Sequence, residues 1–170
     1  MKKSSFKNIA TVGVLTGMSR ILGFVRDMVM AWILGAGILT DAFIVAFRIP
    51  NLLRRFMAEG TVSVAFIPVF TEAREKEGLD RAFELTRDML TFMFYALTAV
   101  VVLGEVIAPV IVGAMAPGFL DDSAAFGVTV KLTRIMFPFI LLIGIASLLM
   151  GLLNSLGHFT APAGAPVLLN

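Results

Sequence analysis

Four long apolar stretches constrain this chain more than any other feature. A helix that crosses the hydrocarbon core of a bilayer needs about 20 mostly apolar residues. Such stretches run from about Ile9 to Leu34, Asp41 to Phe70, Met89 to Ala116 and Thr129 to Leu156. The first ends at Gly35-Ala36-Gly37, a helix-stop signal. The second holds Pro50 and Gly60, and the fourth holds Pro138. Residues 160–170 read as the start of a fifth span that continues past Asn170. The chain is 58% hydrophobic and only 15% charged, whereas soluble domains carry about 25% charge. The expectation is an all-α membrane protein: a helical bundle of four transmembrane helices plus the start of a fifth.

The charges inside those stretches are the second constraint. Arg20, Arg26, Arg48, Arg54 and Arg55 all fall within the first two. A charged side chain at mid-bilayer costs at least ~2.5 kcal/mol even on lenient insertion scales. Each therefore needs a water-filled cavity or a partner of opposite sign. The acids nearby are Asp27, Asp41 and Glu59, so positive charge exceeds negative between Ser19 and Gly60. That imbalance asks for an anion.

Helical rise places the arginines in depth. Counted from Gly35, Arg26 lies ~13 Å down and Arg20 ~22 Å down. Counted from Asp41, Arg48 lies ~10 Å down and Arg54 ~20 Å down. Two cationic tiers follow, Arg26 with Arg48 and Arg20 with Arg54, if the two consecutive helices are antiparallel neighbours. Guanidinium stays charged in a low dielectric and grips phosphate oxygens in pairs. Two tiers suit an elongated anion such as a diphosphate. The offset of six residues turns Arg26 away from the face of Arg20, so the two converge across a wide cavity or a bend, which Gly23 permits; Pro50 does the same between Arg48 and Arg54. The structural alternatives are internal pairs, Arg26 with Asp27 or Asp41 and Arg55 with Glu59, and an Arg48 that snorkels outward.

Lysine and arginine in the connections set the orientation. Lys2, Lys3 and Lys7 precede the first stretch, and Arg74, Lys76, Arg81 and Arg87 lie between the second and third. The N-terminus and the Thr71–Asp88 connection are expected in the cytoplasm, that connection being a linker or a short helix on the membrane surface. Loops near Gly37 and Asp121 face outward.

Other signals are weaker. Gly13 and Gly17 permit close helix contact. Glu105 reads as an ion site or a cavity-facing carboxylate. Lys131 and Arg134 read as interfacial anchors, Trp32 as part of an aromatic belt, and Asn154 as a packing contact. Cysteine is absent and His158 is the only histidine. That excludes thiol catalysis and a metal site built on histidine alone. No catalytic constellation is present, and an enzyme is not expected.

Particular runs resemble one family. Ser19-Arg20-Ile21-Leu22-Gly23-Phe24-Val25-Arg26-Asp27 resembles the first-helix signature of the MurJ (MviN) lipid II flippase family of the MOP exporter superfamily. Thr40-Asp41-Ala42-Phe43 and the run from Ala46 through Pro50 to Arg55 continue the likeness. So do Ala58-Glu59-Gly60, Ala65-Phe66-Ile67-Pro68, Ala116-Pro117-Gly118-Phe119, Phe137-Pro138 and Ala165-Pro166-Val167-Leu168-Leu169-Asn170.

The resemblance implies alternating-access movement of a lipid-linked peptidoglycan precursor across the bacterial inner membrane, by a protein of two six-helix lobes. It implies substrate contacts at Arg20, Arg26, Arg54 and Arg48, with Ser19 beside the first, and gating contacts for Asp41 and Glu59, while Asp27 is a charge-pairing candidate from its place beside Arg26. It implies lipid II, membrane lipids and the remainder of the same protein as partners, and no nucleic acid. No cofactor is expected in this segment, and cation coupling would reside in the second lobe. The competing readings are another MOP-type exporter, of lipid-linked polysaccharide or drugs, and a non-transporting membrane scaffold. A drug-cation exporter would favour buried acids, and a scaffold would pair its arginines and lack a polar cavity.

Overall fold

Three glycines make the corners at which helices end. Gly35, Gly78 and Gly157 have φ of 63°, 95° and 81°, a left-handed conformation that only glycine adopts at little cost. The computed structural model describes the backbone over residues 2–56 and 62–169, and the side chains over 11–48, 50–52, 65–165 and 167. Seven α-helices lie there: α1 (Lys2–Leu34), α2 (Ile38–Phe56), α3 (Val62–Glu77), α4 (Leu79–Met115), α5 (Ser123–Met136), α6 (Phe139–Ser155) and α7 (Thr160–Leu169). A 3-10 turn covers Pro117–Phe119, and the described residues contain no strand. The fold is all-α, as expected.

The helices outrun the apolar stretches, for local reasons. The connection between Thr71 and Asp88 is not a linker: α3 continues to Glu77, turns at Gly78, and α4 starts at Leu79. Hydropathy misses this because the segment is polar, but its charges are spaced for a helix. Lys76 meets Glu72 at 2.7 Å and Arg81 meets Glu77 at 3.4 Å, each four residues apart. Arg81 also meets Glu84 at 3.1 Å. The Glu72–Lys76 and Arg81–Glu84 pairs lie within α3 and α4 and add only ~0.2–0.5 kcal/mol each, whereas Glu77–Arg81 spans the corner at Gly78. Arg81 donates from Nη1 to Oε2 of Glu84. At the other end, α5 begins at Ser123, because the Asp122 carboxylate accepts from the amides of Ala124 and Ala125 at 3.0 and 3.1 Å.

Among the described residues, two helical segments, residues 79–115 and 123–155, are long and apolar enough to cross a membrane. On α4 the side chains of Phe92, Tyr95, Val102, Leu103, Val106 and Val110 are exposed. Their spacing of three, four and seven forms one face. An apolar face of that length belongs against hydrocarbon.

Packing places α2 along α5 and α3 along α6, with α4 lying across α3, α5 and α6. The main core draws Phe66 and Phe70 from α3, Met93 and Leu97 from α4, and Ile140 and Leu148 from α6. Against α5, α2 buries Ala42, Ala46 and Pro50, one turn apart. The buried residues of α5 are Ala125, Thr129, Val130 and Thr133. The threonine hydroxyls bond back to the carbonyls of Ala125 and Thr129 at 2.7 and 2.8 Å. Small, internally satisfied residues let the two backbones approach closely.

The first helix departs from expectation. It packs along α7 and meets α2 only sparsely. Consecutive order and a tight corner at Gly35 do not make α1 and α2 neighbours along their length. Gly23 introduces no break, since α1 is continuous over 33 residues.

Candidate functional site

The register of α1 decides which way its polar groups point. Between residues 11 and 29 its less exposed positions are Thr11, Leu15, Ser19 and Gly23, at intervals of four. Ser19 is the most buried of them. Arg20 is one residue further on, hence about 100° around the helix, and it is exposed. Arg26 donates from Nε at 3.1 Å and from Nη2 at 2.8 Å, both to Oδ1 of Asp27. Of the two partners open to Arg26 in the sequence, it takes Asp27. Both side chains of this ion pair remain well exposed, so the carboxylate offsets the charge without sealing it from a ligand.

On α2 the face opposite Ala42, Ala46 and Pro50 presents Asp41, Ile44, Arg48 and Leu52, all exposed. Asp41 and Arg48 share this face but stand two turns apart, ~10 Å of helical rise. Asp41 also has a local role. It lies in the first turn of α2, where its charge favours the helix dipole. Beside it, the Thr40 hydroxyl donates to the Gly35 carbonyl at 2.7 Å and closes the corner. Pro50 sits within α2 without ending it. The backbone of Arg54 and Arg55 forms the last turn of α2; their side chains, and all of Glu59, lie outside the described residues. The expected pairing of Arg55 with Glu59 falls there too.

Among the described residues, neither Arg20 nor Arg48 has a carboxylate within ion-pair distance. The outcome for the arginine ladder is therefore divided. Arg26 is paired, Arg20 and Arg48 are exposed, and α1 and α2 are not packed against each other as the tiers assumed. No group of three or more potential metal ligands occurs among the described residues.

Sequence reading underrated Arg134. It read as an interfacial anchor, but α5 begins at Ser123, so Arg134 stands ~17 Å along the helix. Its Nε donates to the backbone carbonyl of Glu105 at 3.0 Å. A signal was present: Pro109 lies four residues after Glu105, so that carbonyl has no intrahelical amide to accept from. Glu105 itself is half-buried, and here it contributes its main chain. On the opposite side of the bundle, Arg74 reaches the Ser155 carbonyl at the end of α6, at 3.4 Å, where a cation suits the dipole. His158 is exposed in the next corner, where its amide bonds the Leu153 carbonyl at 2.8 Å.

Fold and site together define an all-α membrane protein that sets exposed guanidinium groups among apolar helices. The chain belongs to the lipid II flippase MurJ family, whose family model matches residues 30–170. It is 44% identical over 165 residues to the lipid II flippase MurJ of Burkholderia cenocepacia, covering 97% of this chain and 32% of that protein. It is 41% identical over 168 residues to the probable lipid II flippase MurJ of Rhizobium tropici, covering 98% and 32%. The corresponding protein of Rickettsia prowazekii is 32% identical over 165 residues, covering 97% and 32%. The chain thus spans about a third of the length of these relatives.

Proposed function

We propose that this chain supplies the substrate-contacting part of a lipid II flippase of the bacterial inner membrane. In this reading Arg20, Arg26, Arg48 and Arg54 bind the diphosphate of the lipid-linked precursor, and Ser19 lies beside the first of them. Asp27, Asp41 and Glu59 pair with or gate those charges. The observation that carries the reading is the exposure of Arg20 and Arg48, neither of which has a carboxylate within ion-pair distance among the described residues. A structural arginine would be neutralised within the bundle, and one held for a ligand must keep donors available. The N-terminus and the α3–α4 corner face the cytoplasm, because the lysines and arginines of the connections gather there. The protein transports and catalyses no covalent step. Coupling to a cation would use residues beyond this chain, which works with the remainder of the same protein.

Lysine substitutions test the proposal in the full-length protein. Both Arg54→Lys and Arg48→Lys keep a positive charge. Arg54 is deeper, where the paired donors of guanidinium cannot be replaced by water. Arg54→Lys is expected to impair growth of cells depleted of their own flippase more than Arg48→Lys does. Equal tolerance of both would show that charge alone suffices and that no fork-like clamp exists at the deeper position.

A further inference from the structure

We propose that Arg134 is a positioning residue, standing in for the backbone donor that Pro109 removes from α4 and joining α4 to α5. Proline has no amide hydrogen, so the carbonyl four residues earlier loses its helical partner. In α4 that carbonyl belongs to Glu105, and Arg134 of α5 donates to it at 3.0 Å. An unsatisfied carbonyl in a bilayer cannot turn to water, so a donor there is worth more than at a wet surface.

Two neighbouring features share the junction. A side chain at Gly104 would run into the ring of Phe137, which is buried. The ring therefore fills the space that glycine leaves on α4, one residue before the free carbonyl. Phe137 also precedes Pro138, which in turn deprives the Arg134 carbonyl of its usual amide. The Phe137 amide takes that carbonyl at 3.3 Å, in a tighter turn. The proline-weakened turn of α4 thus lies against the proline-weakened turn between α5 and α6. Arg134 and Phe137 bind the two, so the outer parts of α4 and α5 are held together where each helix is least able to hold itself.

A double-substitution cycle in the full-length protein tests this. Arg134→Ala is expected to lower the midpoint of thermal unfolding in detergent by about 1–3 °C, and to speed amide exchange in the part of α4 beyond Glu105. Pro109→Ala restores the missing amide. In that background Arg134→Ala should cost less than half as much. Arg134→Lys, which keeps a donor of similar reach, should recover most of the loss. An equal cost of Arg134→Ala with and without Pro109 would overturn the proposal.

The part that concerns transport rests on the flippase reading. There Arg134→Ala should slow lipid II translocation several-fold and leave lipid II affinity unchanged. A tenfold loss of affinity would make Arg134 a substrate contact, contrary to the proposal. The thermal cycle involves no lipid II, so its outcome stands apart from the fate of that reading.

Discussion

Arg20→Ala, placed in the full-length protein, is expected to abolish rescue of flippase-depleted cells while the protein accumulates at its normal level. Arg20 is exposed and holds no carboxylate within ion-pair distance among the described residues. Removing it leaves no stranded partner charge there, so the fold should not suffer. What is lost is a set of charge-assisted hydrogen bonds to the substrate. These are worth about 1.5–3 kcal/mol each, which corresponds to a roughly 10- to 100-fold weaker interaction. Immunoblotting of the membrane fraction beside the growth assay separates the two effects. Loss of the protein itself would mark Arg20 as a structural group. Normal growth at normal abundance would remove it from the substrate path.

Gly104→Val is expected to destabilise the protein. A Cβ at this position would enter the ring of Phe137, and the ring is buried with little room to move. Overpacking of this kind costs about 1–3 kcal/mol, and two branching methyl groups place valine at the upper end. Phe137→Ala alone should also destabilise, by about 3–5 kcal/mol, through the cavity it leaves. Combined, the two changes should cost less than their sum, because valine occupies part of the space the ring vacates. Thermal unfolding in detergent reads all three variants. Additive losses would mean that Gly104 and Phe137 do not share one contact.

Much of this was legible in the sequence, and the reasons for the rest are physical. Hydropathy finds apolar runs, and Gly35 announced the end of α1. It does not find polar helices. The α3–α4 corner had to be read from the four-residue spacing of Glu72, Lys76, Glu77 and Arg81, and from Gly78. The start of α5 was hidden for the same reason: Asp122 is a cap that looks like a loop residue.

Neighbourhood was the harder matter. The small residues Ala42, Ala46 and Pro50 mark a packing face, but nothing in that stripe says that α5 covers it. Nor does chain order say that α1 lies along α7 rather than α2. For the candidate site, residue type and depth pointed to Arg20, Arg26 and Arg48, and register then showed which are exposed. The choice of Asp27 over Asp41 by Arg26 depends on side-chain reach, which spacing alone leaves open. Arg134 was misread because its partner is a main-chain carbonyl 29 residues away, visible only to a search for what Pro109 leaves unsatisfied.

The central claim is that the arginines of α1 and α2 bind the diphosphate of a lipid-linked precursor. Titration of lipid II into the purified full-length protein tests it most directly, with the protein compared against a variant carrying Arg20→Gln and Arg26→Gln. Glutamine keeps polarity and most of the length but removes the charge and the paired donors. The account predicts at least about a tenfold loss of affinity in the variant, and competition by inorganic pyrophosphate in the unsubstituted protein alone. Unchanged affinity in the variant, with pyrophosphate ineffective against both, would contradict it.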